Sequence, residues 1–273
     1  LAPFWFSLIT NWLVRSYNEF QDIDKFVILI YLINKNLVFY RKNGLIIDYN
    51  AFYEDKELEI SKINISDIAH DLKMPKESVR RKILELENKN VIKKTGKKIF
   101  LNRSAFITAK AKDTLKDLCI LIKKLNELLV KEKFTNKEFE LNEISNSIKE
   151  NFSFCWYQFY KFLFMFSNRW KTDTKTHDLE TICVGLIVMI NTVQNRGFKD
   201  KNLDRQKYFK AVQKSNHIGI NAFSIADITG IPRATVVRKL QFLIENKFLN
   251  ISEKKLYNFA MGTQTKQFKV LTK

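Results

Sequence analysis

Two arginines occupy matching places in two similar stretches of this chain: Arg81 in MPKESVRRKILEL and Arg238 in IPRATVVRKLQFL. If Val79, Ile83 and Leu86 face a core, a helix turning about 100° per residue carries Arg81 to the opposite side, flanked by Glu77, Ser78 and Arg80. The same count turns Arg238 outward between Ala234, Thr235 and Val237. Outward guanidinium groups amid lysines are the chemistry of polyanion binding, because each presents rigid N–H forks to phosphate or to base edges. The surrounding charge agrees. The chain of 273 residues carries a formal net charge of +18. Residues 73–103 hold eleven Lys/Arg against three Asp/Glu, and residues 230–260 hold six against two. The excess is concentrated on these two stretches, which points to nucleic acid rather than to a general compositional bias.

Other chemistries lack their residues. Cys119, Cys155 and Cys183 lie far apart among apolar neighbours, and the three histidines are equally scattered, so no metal-ligand spacing or disulfide framework is present. This usage suits a reducing cytoplasm. There is no glycine-rich phosphate loop, no nucleophile elbow and no histidine paired with a nucleophile, so the chain reads as a non-enzyme without cofactor or metal. Leu1–Val14 carries Ser7, Thr10 and Asn11 and makes a poor signal peptide, while Ile182–Ile190 is too short to span a bilayer. No membrane partner is expected, and the expected location is the cytoplasm, associated with the nucleoid. Leu1 in place of Met leads to the expectation of a trimmed or partial chain.

The elements that must hold the arginines are legible around them. In INAFSIADITGIPRATVVRKL (220–240) a short apolar helix centred on Ile225-Ala226 is broken at Thr229-Gly230, and a second opens at Pro232 and runs through Val236, Leu240 and Leu243. Ala226 allows close crossing, Gly230 supplies a left-handed turn residue, and a first-turn proline sacrifices only an N–H that would be unpaired anyway. This is the spacing of a DNA-reading helix-turn-helix. Ile68-Ala69, Met74-Pro75, Val79, Arg81-Lys82, Ile83 and Leu86 repeat the pattern 157 residues earlier. Lys73 stands where Gly230 does, and a positive φ there costs a lysine about 1 kcal/mol. At the same offset FVILIYLI (26–33) falls on CVGLIVMI (183–190), and Ala51-Phe52 falls on Tyr208-Phe209. With a six-residue gap, PFWFSLITNWL resembles FCWYQFYKFLF (154–164). An internal duplication follows, with a first lobe over 1–104, a connecting helix and linker over 105–150, and a second lobe over 151–273.

Residues 4–33 predict two helices, whereas LIIDYNAFYEDKELEI suits strand or helix. Ala111, Leu115, Leu118, Ile122, Leu125 and Leu129 form a seam at helical spacing. It suits packing within the chain, or self-association through 111–129. Residues 152–170 are aromatic all around a helix, the pattern of a buried helix, with an effector pocket as the alternative. No effector is identified by these residues.

After each second helix comes a hairpin, VIKKTGKKIFL (91–101) and FLNISEKKLYNF (248–259). With these wings, 63–101 and 220–258 resemble bacterial winged helix-turn-helix transcriptional regulators of the MarR and IclR kinds. The resemblance implies a mainly α fold with short two-stranded β wings, two tandem winged lobes joined by a long connecting helix, and a second helix lying in the major groove of double-stranded DNA. It makes Ser78, Arg80, Arg81, Thr235 and Arg238 base contacts, and Lys76 and Arg233 phosphate contacts. Lys93, Lys94, Lys97, Lys98, Lys254 and Lys255 become wing contacts to backbone or minor groove. The expected function is a sequence-specific transcriptional regulator whose lobes form an intrachain pseudo-dimer on unlike half-sites, since KESVRRK and RATVVRK differ. Tandem winged helices also suit a replication initiator of the plasmid type, or a non-enzymatic chromosome-partition module that uses them for protein contacts.

Overall fold

The computed structural model describes residues 1–60, 62–96, 98–105, 111–173, 178–193 and 219–260. The chain is mainly helical with small antiparallel sheets of two and three strands. It divides into two compact units, one of Leu1 with Glu19–His177 and one of Ala2–Asn18 with Asp178–Lys273. The units interleave along the chain: the opening helix α1 (Ala2–Phe20) belongs to the second unit up to Asn18.

The first unit is built on α2 (Ile23–Lys42), capped by Asp22, whose side chain accepts from the backbone N–H of Asp24 and Lys25. Its run of Val27, Ile28, Leu29, Ile30 and Leu32 is buried on all sides, as expected for a helix without a polar face. The helix continues nine residues past the apolar run that announced it, to a turn at Asn43-Gly44. The ambiguous stretch that follows resolves into α3 (Tyr49–Glu54), capped by Asp48, and strand β1 (Glu57–Ile60). Next come α4 (Ile65–Asp71) and α5 (Lys76–Asn88), then β2 (Ile92–Thr95) and β3 (Lys98–Asn102).

The hairpin expected to be two-stranded is here part of a three-stranded sheet, order β1-β3-β2, with Leu58 opposite Leu101 and Ile60 opposite Ile99. The open edge of β3 is thus covered by a strand from upstream, which removes a row of unpaired backbone groups.

Helix α6 (Lys112–Lys131) packs on α7 (Leu141–Glu150). Of the seam, Leu115 is buried, Ala111, Leu118, Ile122 and Leu129 are half-buried and Leu125 is exposed, so it is only partly used within the unit. Asn126 fixes the polar link between them, donating to the Lys137 carbonyl at 3.0 Å and accepting from the Phe139 N–H at 2.9 Å.

The aromatic helix α8 (Phe152–Asp173) packs on α2, α3 and α7. The expectation that it is buried all around is corrected. Phe152, Trp156, Phe159, Tyr160 and Leu163 are in the core, but Phe154, Phe162 and Met165 are exposed. A helix laid against its neighbours from one side hides one stripe, whatever its composition.

In the second unit α9 (Leu179–Val193) packs on α10 (Ala222–Thr229), α11 (Arg233–Glu245) and β5 (Tyr257–Phe259), which pairs with β4 (Leu249–Ile251). Residues Tyr208-Phe209 lie outside the described residues.

The turns entering α5 and α11 differ as Lys73 and Gly230 require. Gly230 caps α10 at φ +72°, and Thr229 Oγ1 accepts from the Ile231 N–H at 3.1 Å while donating to the Ile225 carbonyl. Lys73 adopts φ +50° without a glycine's freedom. Each proline sits one position ahead of its helix, as the residue before Lys76 or Arg233. A methyl group on Gly230 would lie 2.6 Å from Asn18 Oδ1, besides straining its backbone. Gly230→Ala is therefore expected to lower stability by about 1–3 kcal/mol in urea unfolding, whereas Lys73→Ala, which meets the same φ with another L side chain, costs about 1 kcal/mol or less.

Candidate nucleic-acid interface

Helices α5 and α11 have the same length and present the same inner face. Val79, Ile83 and Leu86 of α5, and Val236, Leu240 and Leu243 of α11, are buried. Both end alike, with the Val91 N–H on the Leu86 carbonyl and the Phe248 N–H on the Leu243 carbonyl, across left-handed Asn90 and Lys247. That closure satisfies carbonyls at the helix end and turns the chain directly into the hairpin.

A buried lysine lies within each inner face. Lys82, one turn beyond Val79, has a side chain only 10% exposed and bonds the carboxylate of Asp22, with Asp24 at 3.7 Å. Lys239 is 6% exposed and bonds Asp178, with Glu180 at 3.1 Å. Both pairs place the ammonium on acidic residues at the start of an apolar helix, α2 or α9, where carboxylates also meet the positive end of the helix dipole. Burial alone would raise the Asp178 carboxyl, but the charge and hydrogen bond of Lys239 outweigh it and hold Asp178 below the usual carboxylate range.

The charge pattern and the resemblance single out the outward arginines and leave these inward lysines without a part in the site. The available signal was their position: Val79, Lys82, Ile83 and Leu86 follow helical spacing, so a cation falls inside the apolar stripe.

With Lys82 and Lys239 directed inward, the residues before them face outward. Arg81 is 71% exposed and lies 3.8 Å from Glu85, whose own carboxyl is held low chiefly by its hydrogen bond with Lys25. Arg238 is exposed and forms no salt bridge with a described residue; Phe242 stands where α5 has Glu85. Arg80 is exposed near Glu77, at 3.8 Å. Ser78 and Thr235 are half-buried beside them, and Lys76 and Arg233 are exposed in the first turns. Arg80, Arg81, Lys76 and Ser78 therefore share the outer part of α5, and Arg233, Thr235 and Arg238 that of α11.

On the first hairpin the described lysines are paired with acids. Lys93 meets Glu57 at 2.8 Å, Lys98 meets Glu59 at 3.0 Å, and Lys94 meets Glu87 at 2.6 Å. The glutamates of β1 thus offset charge that the hairpin sequence alone suggested was open. Such exposed pairs are worth about 0–1 kcal/mol and yield readily to a polyanion. Lys97 lies outside the described residues. In the second hairpin Lys254 and Lys255 are exposed at the turn, with Lys255 at φ +56°.

Among the described residues there is no group of three or more His, Cys, Asp and Glu able to hold a metal ion, and no helix long and apolar enough to cross a membrane. No protein-family model matches the chain, and neither a curated protein nor a solved structure is significantly similar to it.

Removing Lys239 strands the acids it neutralises. Lys239→Ala is expected to destabilise the protein by about 2–3 kcal/mol, below the figure for a fully buried pair because Asp178 keeps part of its surface in water. A carboxyl whose folded pKa is depressed adds stability above its unfolded value, near 3.9, and that contribution is lost as pH falls through the folded value. Denaturant titrations from pH 6 to pH 2 should therefore show a smaller acid-induced loss in Asp178→Asn than in the native chain.

Proposed function

We propose that the protein is a sequence-specific double-stranded DNA-binding transcriptional regulator, carrying two winged helix-turn-helix lobes derived from an internal duplication, each of which reads one of two unlike half-sites. The observation that carries this reading is the repeated anchor. Lys82 and Lys239 stand at the same offset in the two stretches, each is buried on the acidic start of a long apolar helix, and each is preceded by an exposed arginine.

A helix held by its inner face and presenting Arg, Ser or Thr outward suits the major groove, where arginine meets guanine O6 and N7. The basic hairpins following α5 and α11 then serve as wings. Lys93, Lys94, Lys98, Lys254 and Lys255 suit phosphates, the first three after leaving their glutamates. The two recognition helices differ where Arg80 of α5 is matched by Val237 of α11, an exposed apolar side chain at 43%. Apolar contact with a thymine methyl group gives such a valine a use, so the half-site read by α11 is expected to contain thymine at that position.

The test is fluorescence anisotropy on duplexes selected from a random pool. Arg81→Ala and Arg238→Ala should each cost about 1–3 kcal/mol of binding and relax preference at one base pair. Replacing the selected thymine by deoxyuridine should weaken the native protein and leave Val237→Ala unaffected. Lys94→Gln should weaken all sequences alike and flatten the salt slope by about one. Full affinity in both arginine variants would exclude the groove assignment.

A further inference from the structure

A cleft of about 400 Å³ opens in the first unit where α6 and α7 meet Tyr49 of α3. Its volume falls within the range of small-molecule sites, about 300–1,000 Å³. None of its lining belongs to α5, α11 or the hairpins.

Leu115, Cys119 and Ile120 of α6 and Leu141 of α7 line it with apolar surface. Burial pushes the Cys119 thiol up, so it stays neutral at physiological pH. Lys112, Lys116 and Lys149 complete the lining, all exposed, and none forms a salt bridge with a described residue. Two further lysines of α6 are committed, Lys123 to Glu140 and Lys124 to Glu127. Three uncommitted cations around an apolar floor favour an anion with a hydrocarbon part.

Tyr49 adds an independent observation. Its ring is held against Tyr53 at 4.9 Å and Phe152 at 5.2 Å, and its hydroxyl is buried without a hydrogen-bond partner. A buried hydroxyl is costly unless something accepts its proton, and a ligand oxygen would do so. Besides Tyr49, only Asn142 and Ser145 of the lining offer uncharged polar side chains. That is too few to recognise a sugar or a base, and it leaves a simple acidic head group.

We propose that this cleft binds a small amphipathic anion, a carboxylate on a short hydrocarbon tail, with the head group among Lys112, Lys116, Lys149 and the Tyr49 hydroxyl and the tail against Leu115, Ile120 and Leu141. The proposal does not depend on DNA binding.

Isothermal titration calorimetry of the full chain with octanoate, 1-octanol and octylamine tests it. Octanoate should bind as a single equivalent, about tenfold tighter than 1-octanol, and octylamine should give no heat of binding. Lys116→Gln with Lys149→Gln, both at exposed positions, should bring octanoate down to the level of octanol. Tyr49→Phe should weaken octanoate by roughly threefold. Ser145→Leu, which fills the cleft without changing charge, should abolish binding, with circular dichroism confirming that each variant is folded. Octanol binding as tightly as octanoate, unchanged affinity in the folded lysine variant, or no heat with octanoate at low millimolar concentration would each overturn the proposal.

Discussion

The ion pairs of Lys82 with Asp22 and of Lys239 with Asp178 set the orientation of everything around them. An ammonium taken out of water costs several kcal/mol unless an opposite charge meets it at close range. Each lysine sits inside the apolar stripe of its helix, so it has one place to go, the acidic start of α2 or α9. Once that contact forms, α5 and α11 cannot rotate about their axes without exposing Val79 or Val236 and stranding a buried charge. The neighbouring arginine is turned to solvent as a geometric consequence of 100° per residue. The inward lysine and the outward arginine are two results of one constraint.

The two units use this arrangement unequally. In the first, every cation described on the hairpin is already matched to a glutamate, and Arg81 has Glu85 within reach. In the second, Arg238 forms no salt bridge with a described residue, and the preceding turn is relaxed by Gly230 where the first unit strains Lys73. Under the proposed reading the first surface must break weak surface pairs before it meets phosphate, so its contacts are more sensitive to salt and to competing charge. The second surface is ready but carries fewer cations and an exposed valine. The cleft between α6 and α7 draws none of its lining from α5, α11 or the hairpins.

Much of this protein was legible in its residues because local rules decided it. Gly230 takes the left-handed turn its type permits, and Val79, Ile83 and Leu86 face inward as their spacing requires. The outward direction of Arg81 and Arg238 followed from the same periodicity. What only the tertiary structure decided involves partners distant in the chain. Glu57 and Glu59 neutralise the hairpin because β1 pairs with β3 across the 37 residues that separate the two strands. The aromatic stripe of α8 is half exposed because its neighbours reach it from one side. Grouping of α1 with α9–α11, and the acceptor for Lys82 sixty residues upstream, likewise depend on long-range pairing. Periodicity and capping act within a few residues, so they determine which face of a helix is inward. Which charge waits on that inner side is determined by packing between distant segments, and no local pattern carries it.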